Sequence, residues 1–187
     1  MQTSSDRLTL AIERLSTPIG TIVLLIDEQN VLRMLHWENG HEGLQKILRR
    51  RYGVDRVRLV EGGGVSAVRA SLEAYFSGEL EAINRIPVKT EGTTFQRQVW
   101  SALRAIPAGQ TCSYSELAGR LSRPKAVRAV GLANGSNPIG IVVPCHRVIG
   151  SNGSLTGYGG GLDRKRWLLE HEGICLDARQ RRLFDQP

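Results

Sequence analysis

Three residues with complementary chemistry follow one another at Cys145-His146-Arg147, directly after Pro144. A thiol attacks as its thiolate, and a neighbouring imidazole or guanidinium can lower the pKa of a thiol. Glu172, further along the chain, is a candidate to orient the ring of His146. The pattern predicts a nucleophilic cysteine with a histidine base. Spacing alone does not show that Glu172 contacts His146. Most free cysteines are buried and inert, so the alternative that Cys145 is a purely structural residue remains.

The segment before Cys145 is predicted to be a buried strand. Residues 139–143 form a short apolar run, and Pro144 has no N–H to donate to a strand ladder. We therefore expect a strand over 139–143, with Cys145 at the point where the chain leaves the sheet. The polar residues 134–138 in front of this run are typical of a turn.

Two short helices are predicted further upstream. Ser113 and Glu116 have the spacing of a capping box, and Pro124 suits the first position of a second helix over 125–133. Such a pair indicates a helix-turn-helix. Small alanines in the second helix would let its backbone approach DNA closely, while Arg128 projects from it. Helical domains that bind no DNA carry similar patterns.

Alternation of apolar and polar residues predicts mainly strands in the first third of the chain. The first three strands are expected to form an antiparallel meander, with a turn at Thr17-Pro18-Ile19-Gly20. The expected strands cover 8–15, 21–27, 31–37 and 57–60, and the expected helices cover 41–51 and 65–76.

The pattern changes from mostly strand to mostly helix near residue 90. Thr93 and Gln96 form another capping-box pattern there, which predicts the start of a helix. We therefore expect two domains, 1–90 and 91–175, followed by a basic, flexible tail over 176–187.

The basic charge is concentrated in the second half of the chain. Of the 187 residues, 1–90 carry 12 basic and 11 acidic side chains, whereas 91–187 carry 13 and 7, for a formal net charge of +7. A basic surplus in one half suggests an anionic partner, most often nucleic acid, although a solvated basic surface fits the charge equally well.

Composition narrows the remaining classes of protein. The start of the chain does not resemble a signal peptide and no apolar run is long enough to span a bilayer, so we expect no membrane partner and a cytoplasmic protein, or a nuclear one in a eukaryote.

The three cysteines, Cys112, Cys145 and Cys175, are odd in number and far apart. They predict neither a disulfide framework nor a cysteine-rich zinc site.

The motif Pro144-Cys145-His146-Arg147-Val148 resembles the active-site signature of the O6-alkylguanine-DNA alkyltransferases. The resemblance covers residues 95–173 closely and the first domain more loosely. The further matching motifs are Phe95-Gln96-Arg97-Gln98-Val99-Trp100, Gly109-Gln110, Ser113-Tyr114, Arg128-Ala129-Val130-Gly131, 134–138, Gly157-Tyr158-Gly159-Gly160-Gly161, Lys165-Arg166-Trp167-Leu168-Leu169 and His171-Glu172-Gly173.

The resemblance implies a fold and a reaction. The fold class is α/β (α+β), with a small ribonuclease-H-like antiparallel sheet domain followed by a winged-helix-like helical domain that binds DNA. The reaction is a single, irreversible transfer of an alkyl group to Cys145 from O6 of guanine, or from O4 of thymine, in double-stranded DNA. The resemblance also implies a monomer without cofactor or metal, since no cysteine precedes Cys112 to hold the zinc that some relatives carry.

The resemblance assigns roles to five residues of the reaction centre. Cys145 accepts the alkyl group, and His146 acts as its general base through a water molecule. Glu172 holds the tautomer of His146. Tyr114 donates its hydroxyl proton to the departing base, and Asn137 braces the turn in front of Cys145.

Further residues are assigned to DNA. Arg128 fills the gap left when the nucleotide rotates out of the duplex through the minor groove. The backbone of Val143 and Cys145 reads the guanine edge. The loop Tyr158-Gly159-Gly160 covers the pocket. The residues expected at the DNA backbone are Gln96, Ser115, Arg123 and Ser151.

Three other functions remain to be weighed. A non-enzymatic relative that flags alkylated bases would keep the fold but lack the cysteine. A winged-helix regulator explains the charge and the helices but not Cys145-His146 with Glu172. A cysteine hydrolase explains the thiol but not the helix of Arg128 or the basic half.

Overall fold

The computed structural model describes residues 7–39 and 43–176. The chain divides into two compact units, Met1–Gly92 and Thr93–Pro187. The expected tail lies outside the described residues except for Leu176, which is buried. No helix in the described ranges is both long and apolar enough to cross a membrane.

The first unit is built on a four-stranded sheet with the order β3-β2-β1-β4. Strands β1 and β2, and β2 and β3, are antiparallel, which confirms the expected meander. The fourth strand pairs with β1 in the parallel direction, because a helix carries the chain back across the sheet before it. The strands are β1 (Leu8–Thr17), β2 (Gly20–Asp27), β3 (Leu32–Trp37) and β4 (Val57–Glu61).

Two α-helices and a 3-10 helix complete this unit. They are α1 (Leu44–Tyr52), α2 (Ala67–Phe76) and the 3-10 helix Leu80–Arg85. The expected start of the first helix, at residue 41, lies outside the described residues. Leu48 of α1 is buried against the sheet, where apolar burial supplies most of the stability. The buried residues of this cluster are Leu10, Ile12, Val23, Leu25, Met34 and Leu48.

A buried ion cluster attaches the end of the first unit to its sheet. Nη1 of Arg33 donates to Oδ2 of Asp27 at 3.1 Å, and Nη2 donates to Oε1 of Glu91 at 3.2 Å. The side chains of Arg33 and Asp27 are only 7% and 4% exposed. Beside them, Leu32 exchanges backbone hydrogen bonds with Pro87 and Lys89. The residues before Gly92 are therefore held along β3.

Helices dominate the second unit. They are α3 (Thr94–Arg104), α4 (Tyr114–Arg120), α5 (Val127–Gly135) and α6 (Leu162–His171), together with the short parallel strands β5 (Cys112–Ser113) and β6 (Val148–Ile149). Both capping boxes are confirmed, at Thr93 before α3 and at Ser113 before α4. Nε1 of Trp100 in α3 donates to the carbonyl of Ala133 in α5 at 2.8 Å, which fixes these two helices against each other.

Two local predictions in this unit are wrong. The second helix of the expected helix-turn-helix begins at Val127, so Pro124 lies in the turn and does not open the helix. Residues 139–143 are largely buried as expected, but they do not form the expected strand, because Ile139 makes a single bridge and residues 140–142 form a turn. Ile141 has a φ of 69°, and the N–H of Val142 donates to the carbonyl of Gly140. This tight backbone leaves no extended segment for a ladder.

Candidate active site

Cys145 begins a short 3-10 helix, Cys145–Arg147, and its side chain is almost fully enclosed, with the residue only 6% exposed. Burial raises the pKa of the Cys145 thiol. A hydrogen bond from the Asn137 side chain and the charge of Lys165 act in the opposite direction. The sequence suggested the neighbouring imidazole and guanidinium for that task. In the resting structure Cys145 is therefore a buried, protonated thiol, and the side chains of Asn137 and Lys165 are placed to stabilise its thiolate form.

The structure brings Glu172 to His146, which spacing could not establish. Oε1 of Glu172 lies 3.0 Å from Nε2 of His146. The same carboxylate accepts two hydrogen bonds from Arg147, from Nε to Oε2 and from Nη2 to Oε1, each at 2.8 Å. All three side chains are buried. The result is a closed array in which one carboxylate holds an imidazole on one side and a guanidinium on the other.

The protonation states in this array follow from the same contacts. Burial alone would raise the pKa of Glu172, but the hydrogen bonds from His146 and Arg147 outweigh it and lower the pKa to about 2. Burial lowers the pKa of His146. At neutral pH the carboxylate is charged and the imidazole is neutral, with its proton on Nε2 facing the carboxylate.

That tautomer leaves Nδ1 of His146 as a proton acceptor. Nδ1 is buried and has no hydrogen-bond partner among the residues the structure describes. A buried acceptor without a partner is costly and therefore uncommon. Cys145 is the adjacent residue in the chain, so Nδ1 is a candidate acceptor for its thiol proton.

Two asparagines fix the backbone around Cys145. Nδ2 of Asn137 donates to the carbonyl of Val143 at 2.7 Å, and its Oδ1 accepts from the N–H of Ile139 at 3.0 Å. Asn137 thus spans the turn that the resemblance assigns to it. Asn134 is buried in α5 and its Nδ2 lies 3.5 Å from the carbonyl of Cys145. The sequence pattern predicted a turn at Asn134, whereas the residue is buried in the last turn of α5.

The backbone of Val143 is already fully engaged. Its carbonyl accepts from Asn137 and from the N–H of Cys145, and its own N–H donates to the carbonyl of Ile139. The Val143 part of the expected contact with a guanine edge would therefore require one of these hydrogen bonds to open, while the contact of the Cys145 backbone stays a prediction.

The sequence indicated Arg147 only as a cation next to the thiol, and it assigned no role in the site to Lys165. Lys165 is buried, and its Nζ donates to the carbonyls of Val148 and Thr156 at 2.6 and 2.7 Å. Burial lowers its pKa to about 8, and the neighbouring Cys145 opposes that shift. Both residues stand in quoted motifs, but a basic residue next to other polar residues is ordinarily exposed.

Tyr114 and Arg128 lie on the two helices of the helix-turn-helix. The pairing of Cys112 with Val148 in the small sheet brings the start of α4 beside the chain that follows Arg147. The ring of Tyr114 is next to α5, where a Cβ on Gly131 would lie 3.9 Å from it. Another face of α5, next to the one that carries Gly131, is exposed to solvent. It consists of Arg128, Ala129, Leu132 and Gly135, and Leu132 is 78% exposed.

The glycine-rich loop lies over the reaction centre. The ring of Tyr158 meets that of His146 edge to face, with 6.5 Å between centroids. A Cβ on Gly140 would lie 3.5 Å from the Tyr158 hydroxyl oxygen. The carbonyl of Gly160 accepts from Arg164 at 2.8 Å, and Gly159 is exposed. The loop is thus fixed at both ends.

The four residues expected at the DNA backbone are exposed or partly exposed. Ser115 and Ser151 are exposed. Arg123 is exposed and stacks on the ring of Phe95 at 5.4 Å. Gln96 is occupied within the protein, because its amide accepts from the N–H of Thr93 and donates to Ser136 Oγ at 3.0 Å. Within 7–39 and 43–176, no cluster of histidine, cysteine and acidic residues could hold a metal ion.

Family models match both units. The model of the 6-O-methylguanine DNA methyltransferase ribonuclease-like domain matches residues 12–90, and that of the DNA-binding domain of the same family matches residues 94–174. These matches confirm the expected fold class, a ribonuclease-like sheet domain followed by a helical DNA-binding domain.

Relatives and solved structures agree with these models. The chain is 51% identical to a Salmonella typhimurium methylated-DNA–protein-cysteine methyltransferase over 90% of this chain and 99% of that protein. A Methanosarcina acetivorans protein of the same name is 46% identical over 85% and 96%. Mycobacterium tuberculosis O6-methylguanine methyltransferase matches with a TM-score of 0.73 at 41% identity, covering 94% of this chain and 99% of that one.

A second Mycobacterium tuberculosis structure, of OGT in complex with DNA, matches with a TM-score of 0.72 at 41% identity over 88% and 92% of the two chains. The buried cysteine, its histidine and glutamate, and the matches along both units all point to one family. The chain belongs to the 6-O-methylguanine DNA methyltransferase family.

Proposed function

We propose that this protein repairs alkylated DNA directly, by moving the alkyl group from O6 of guanine to Sγ of Cys145. The observation that carries the proposal is the enclosed thiol next to a neutral histidine whose Nδ1 is unsatisfied and whose Nε2 faces Glu172. The names of the relatives and the Mycobacterium tuberculosis structure with DNA support it. DNA is accordingly the substrate partner.

The proposed chemical step uses four side chains of the second unit, Cys145, His146, Glu172 and Tyr114. His146 takes the thiol proton on Nδ1 through a water molecule, and Glu172 stabilises the imidazolium that forms. The thiolate of Cys145 attacks the alkyl carbon, so that a C–S bond forms while the bond from carbon to O6 breaks. The electron pair of the broken bond passes to guanine, which takes a proton from the hydroxyl of Tyr114. The imidazolium then returns its proton to the tyrosine.

The reaction stops after one transfer. A thioether is a poor leaving group, and no second nucleophile is needed to complete the step. Thiol and alkylated base become thioether and guanine, so each protein molecule repairs one base. Cys145, His146 and Glu172 all come from one chain, so a monomer suffices.

DNA must present its base outside the stack, because Cys145 is enclosed and cannot enter a duplex. The exposed face of α5 suits the minor groove, since Ala129 and Gly135 permit close approach and Arg128 projects outward. Arg128 then occupies the space that the base leaves. The loop around Tyr158 covers the extruded base, and O4-alkylthymine is a second substrate of the same geometry.

Mass spectrometry of the intact protein tests the proposal. After incubation with duplex DNA containing one O6-methylguanine, we expect the protein to gain one methylene, at one per molecule, and peptide mapping to place it on Cys145. Cys175 is an internal control, because it is exposed and would take a methyl group if the reaction were unspecific. Cys145→Ser is expected to gain nothing.

The same experiment decides the alternative function. A protein that binds the lesion tightly and gains no mass would be a lesion-flagging protein and not a transferase. The presence of a thiol at position 145, where flagging relatives lack one, favours the transferase.

A further inference from the structure

Leu132 leaves more of its side chain in water than any other large apolar residue that the structure describes. It is 78% exposed, whereas the next two, Val54 and Val65, are 67% and 64% exposed and lie outside the helices and strands of the first unit. The packing of the fold therefore does not require a leucine at this position. A single exposed leucine is ordinary on a protein surface, so the important point is where on α5 it lies.

Leu132 shares one face of α5 with Arg128. The two residues are four apart and Gly135 follows three later, so the three lie above one another along the helix, and all are exposed. Leu132 is the only large apolar side chain among the exposed residues of α5. This is the face that the proposed function directs into the minor groove of DNA.

The charge around this face favours DNA over a protein as the partner that covers Leu132. The segment 113–136 has one acidic side chain, Glu116, whose carboxylate already accepts from the N–H of Ser113 at 2.6 Å. Its basic side chains are all exposed, namely Arg120, Arg123, Lys125 and Arg128. The segment therefore carries +3, and a polyanion complements that charge.

The dimensions of a helix and of the minor groove require the duplex to deform. An α-helix with its side chains is about 10–12 Å wide, whereas the minor groove of B-form DNA is about 6 Å wide. Proteins that bind this groove widen it by inserting apolar side chains between base steps, which unstacks the bases and kinks the duplex. Leucine is one of the residues used in this way.

We propose that Leu132 is such a wedge, and that it unstacks a base step close to the nucleotide that Arg128 replaces. Four residues of helix advance about 6 Å, and base pairs are stacked about 3.4 Å apart. With α5 along the groove, Leu132 therefore meets the duplex within about two base pairs of Arg128. The inference rests on the proposed function, and it gives Leu132 a part in opening the duplex and none in the transfer of the alkyl group.

The fluorescence of 2-aminopurine, which rises when this base loses its stacking, measures the wedge directly. The protein carries Cys145→Ser, so that no transfer alters the DNA, and the duplexes carry 2-aminopurine at each position within two base pairs of O6-methylguanine. At saturating protein we expect one position at which adding Leu132→Ala reduces the rise to about a third. Leu132→Met keeps the apolar volume and should restore the rise.

Transfer rates in the protein with Cys145 separate a wedge from a structural residue. We expect Leu132→Ala to slow single-turnover transfer from saturating duplex about tenfold, on the order of the loss of burial of most of a leucine side chain. Single-stranded DNA with the same lesion should react at the wild-type rate, because no base pair has to open. Free O6-benzylguanine should also react at the wild-type rate, whereas a structural defect would slow all three substrates.

Val54→Ala is the matched control, since it trims an exposed apolar side chain of the first unit, and it should change none of these rates. Unchanged fluorescence in Leu132→Ala, or an equal loss of rate on duplex and single strand, would overturn the proposal. The first result would show that Leu132 opens no base step, and the second that it acts outside duplex opening. If even the wild type transfers nothing from O6-benzylguanine, the proposed function has failed, whereas the fluorescence, which needs no transfer, still decides whether Leu132 is a wedge.

Discussion

Each unit of this protein buries an arginine against a carboxylate. In the first unit Arg33 bridges Asp27 and Glu91, and in the second Arg147 donates twice to Glu172. The first cluster joins these charged side chains to the backbone. Oδ1 of Asp27 also accepts a hydrogen bond from the N–H of Val31 at 2.9 Å, in the turn between β2 and β3. It holds a turn and the end of the unit.

The second cluster differs by one titratable group. His146 shares the carboxylate of Glu172 with Arg147, and its other nitrogen is buried without a partner among the described residues. The adjacent residue is the buried Cys145. A buried ion pair by itself is thus weak information about function. The second cluster differs from a structural ion pair because it includes a proton acceptor without a partner among the described residues, and this acceptor belongs to the residue next to a nucleophile. This combination indicates a reaction centre.

The largest expected effect is on the second cluster. Glu172→Gln removes the negative charge that stabilises the imidazolium of His146, so we expect the rate of alkyl transfer to fall about 100-fold or more. The same change leaves Arg147 as a buried charge without a counter-ion and should lower the free energy of unfolding by about 4 kcal/mol. Single-turnover transfer from O6-benzylguanine and urea unfolding measure the two effects.

The control is Glu170→Gln, on the exposed side of the same helix. It should leave both quantities unchanged. If Glu172→Gln were destabilised yet transferred the alkyl group at the wild-type rate, the second cluster would have only a structural role, like the first, and the comparison would fail.

Acid should unfold the second cluster in two stages. The pKa of Glu172 is lowered to about 2 in the folded protein, so its stabilisation is complete above about pH 4.5 and is lost as the pH falls towards 2, a total of about 3 kcal/mol. Burial lowers the pKa of His146, so the unfolded chain binds its proton first and stability begins to fall below about pH 6.5.

Tryptophan fluorescence can follow this unit alone. In a Trp37→Phe background the remaining tryptophans, Trp100 and Trp167, belong to the second unit. Urea midpoints between pH 7 and 3 are expected to fall less steeply in Glu172→Gln than in the parent. Parallel pH profiles for the two proteins would contradict the assigned charge of Glu172.

Local sequence signals predicted local structure well. The capping box of Thr93 with Gln96 needs only neighbouring residues, and both the box and its helix are present. The turn over 140–142 was missed because an apolar run satisfies a strand and a buried turn equally, and the left-handed φ of Ile141 is set by its surroundings. The backbone conformation of this segment is therefore determined by its tertiary contacts.

The reaction centre shows the same limit. Cys145-His146 is visible in the sequence, and Glu172 was a candidate partner by residue type, but the contact depends on how α6 packs, which spacing does not show. The burial of Arg147 and Lys165 was not predicted, because a cation is expected at the surface, and Arg147 was considered only as a neighbour of the thiol. Their burial is explained only by partners from distant parts of the chain, such as Glu172 and the carbonyl of Thr156.

Breaking the first cluster should cost stability without affecting chemistry. Arg33→Met leaves the buried carboxylate of Asp27 without its cation, and we expect the free energy of unfolding to fall by about 3 kcal/mol. Transfer from O6-benzylguanine should continue at the wild-type rate under conditions in which the protein is folded. Arg85→Met, at an exposed ion pair with Glu79, is the control and should change stability by less than about 1 kcal/mol. A slower transfer in folded Arg33→Met would link the first cluster to catalysis and break the comparison.

The smallest effects come from exchanging arginine for lysine in both clusters. Arg147 uses the full geometry of its guanidinium, because it donates to both oxygens of Glu172 and to the carbonyl of Ile106. A lysine has one nitrogen and cannot hold both oxygens, so Arg147→Lys should let the carboxylate turn away from His146 and slow transfer about tenfold, at a cost of about 1 kcal/mol in stability. Arg33→Lys should cost a similar free energy and leave the rate unchanged. If the two variants lost stability equally and neither changed the rate, the orientation of Glu172 would not depend on Arg147, and the histidine alone would distinguish the two clusters.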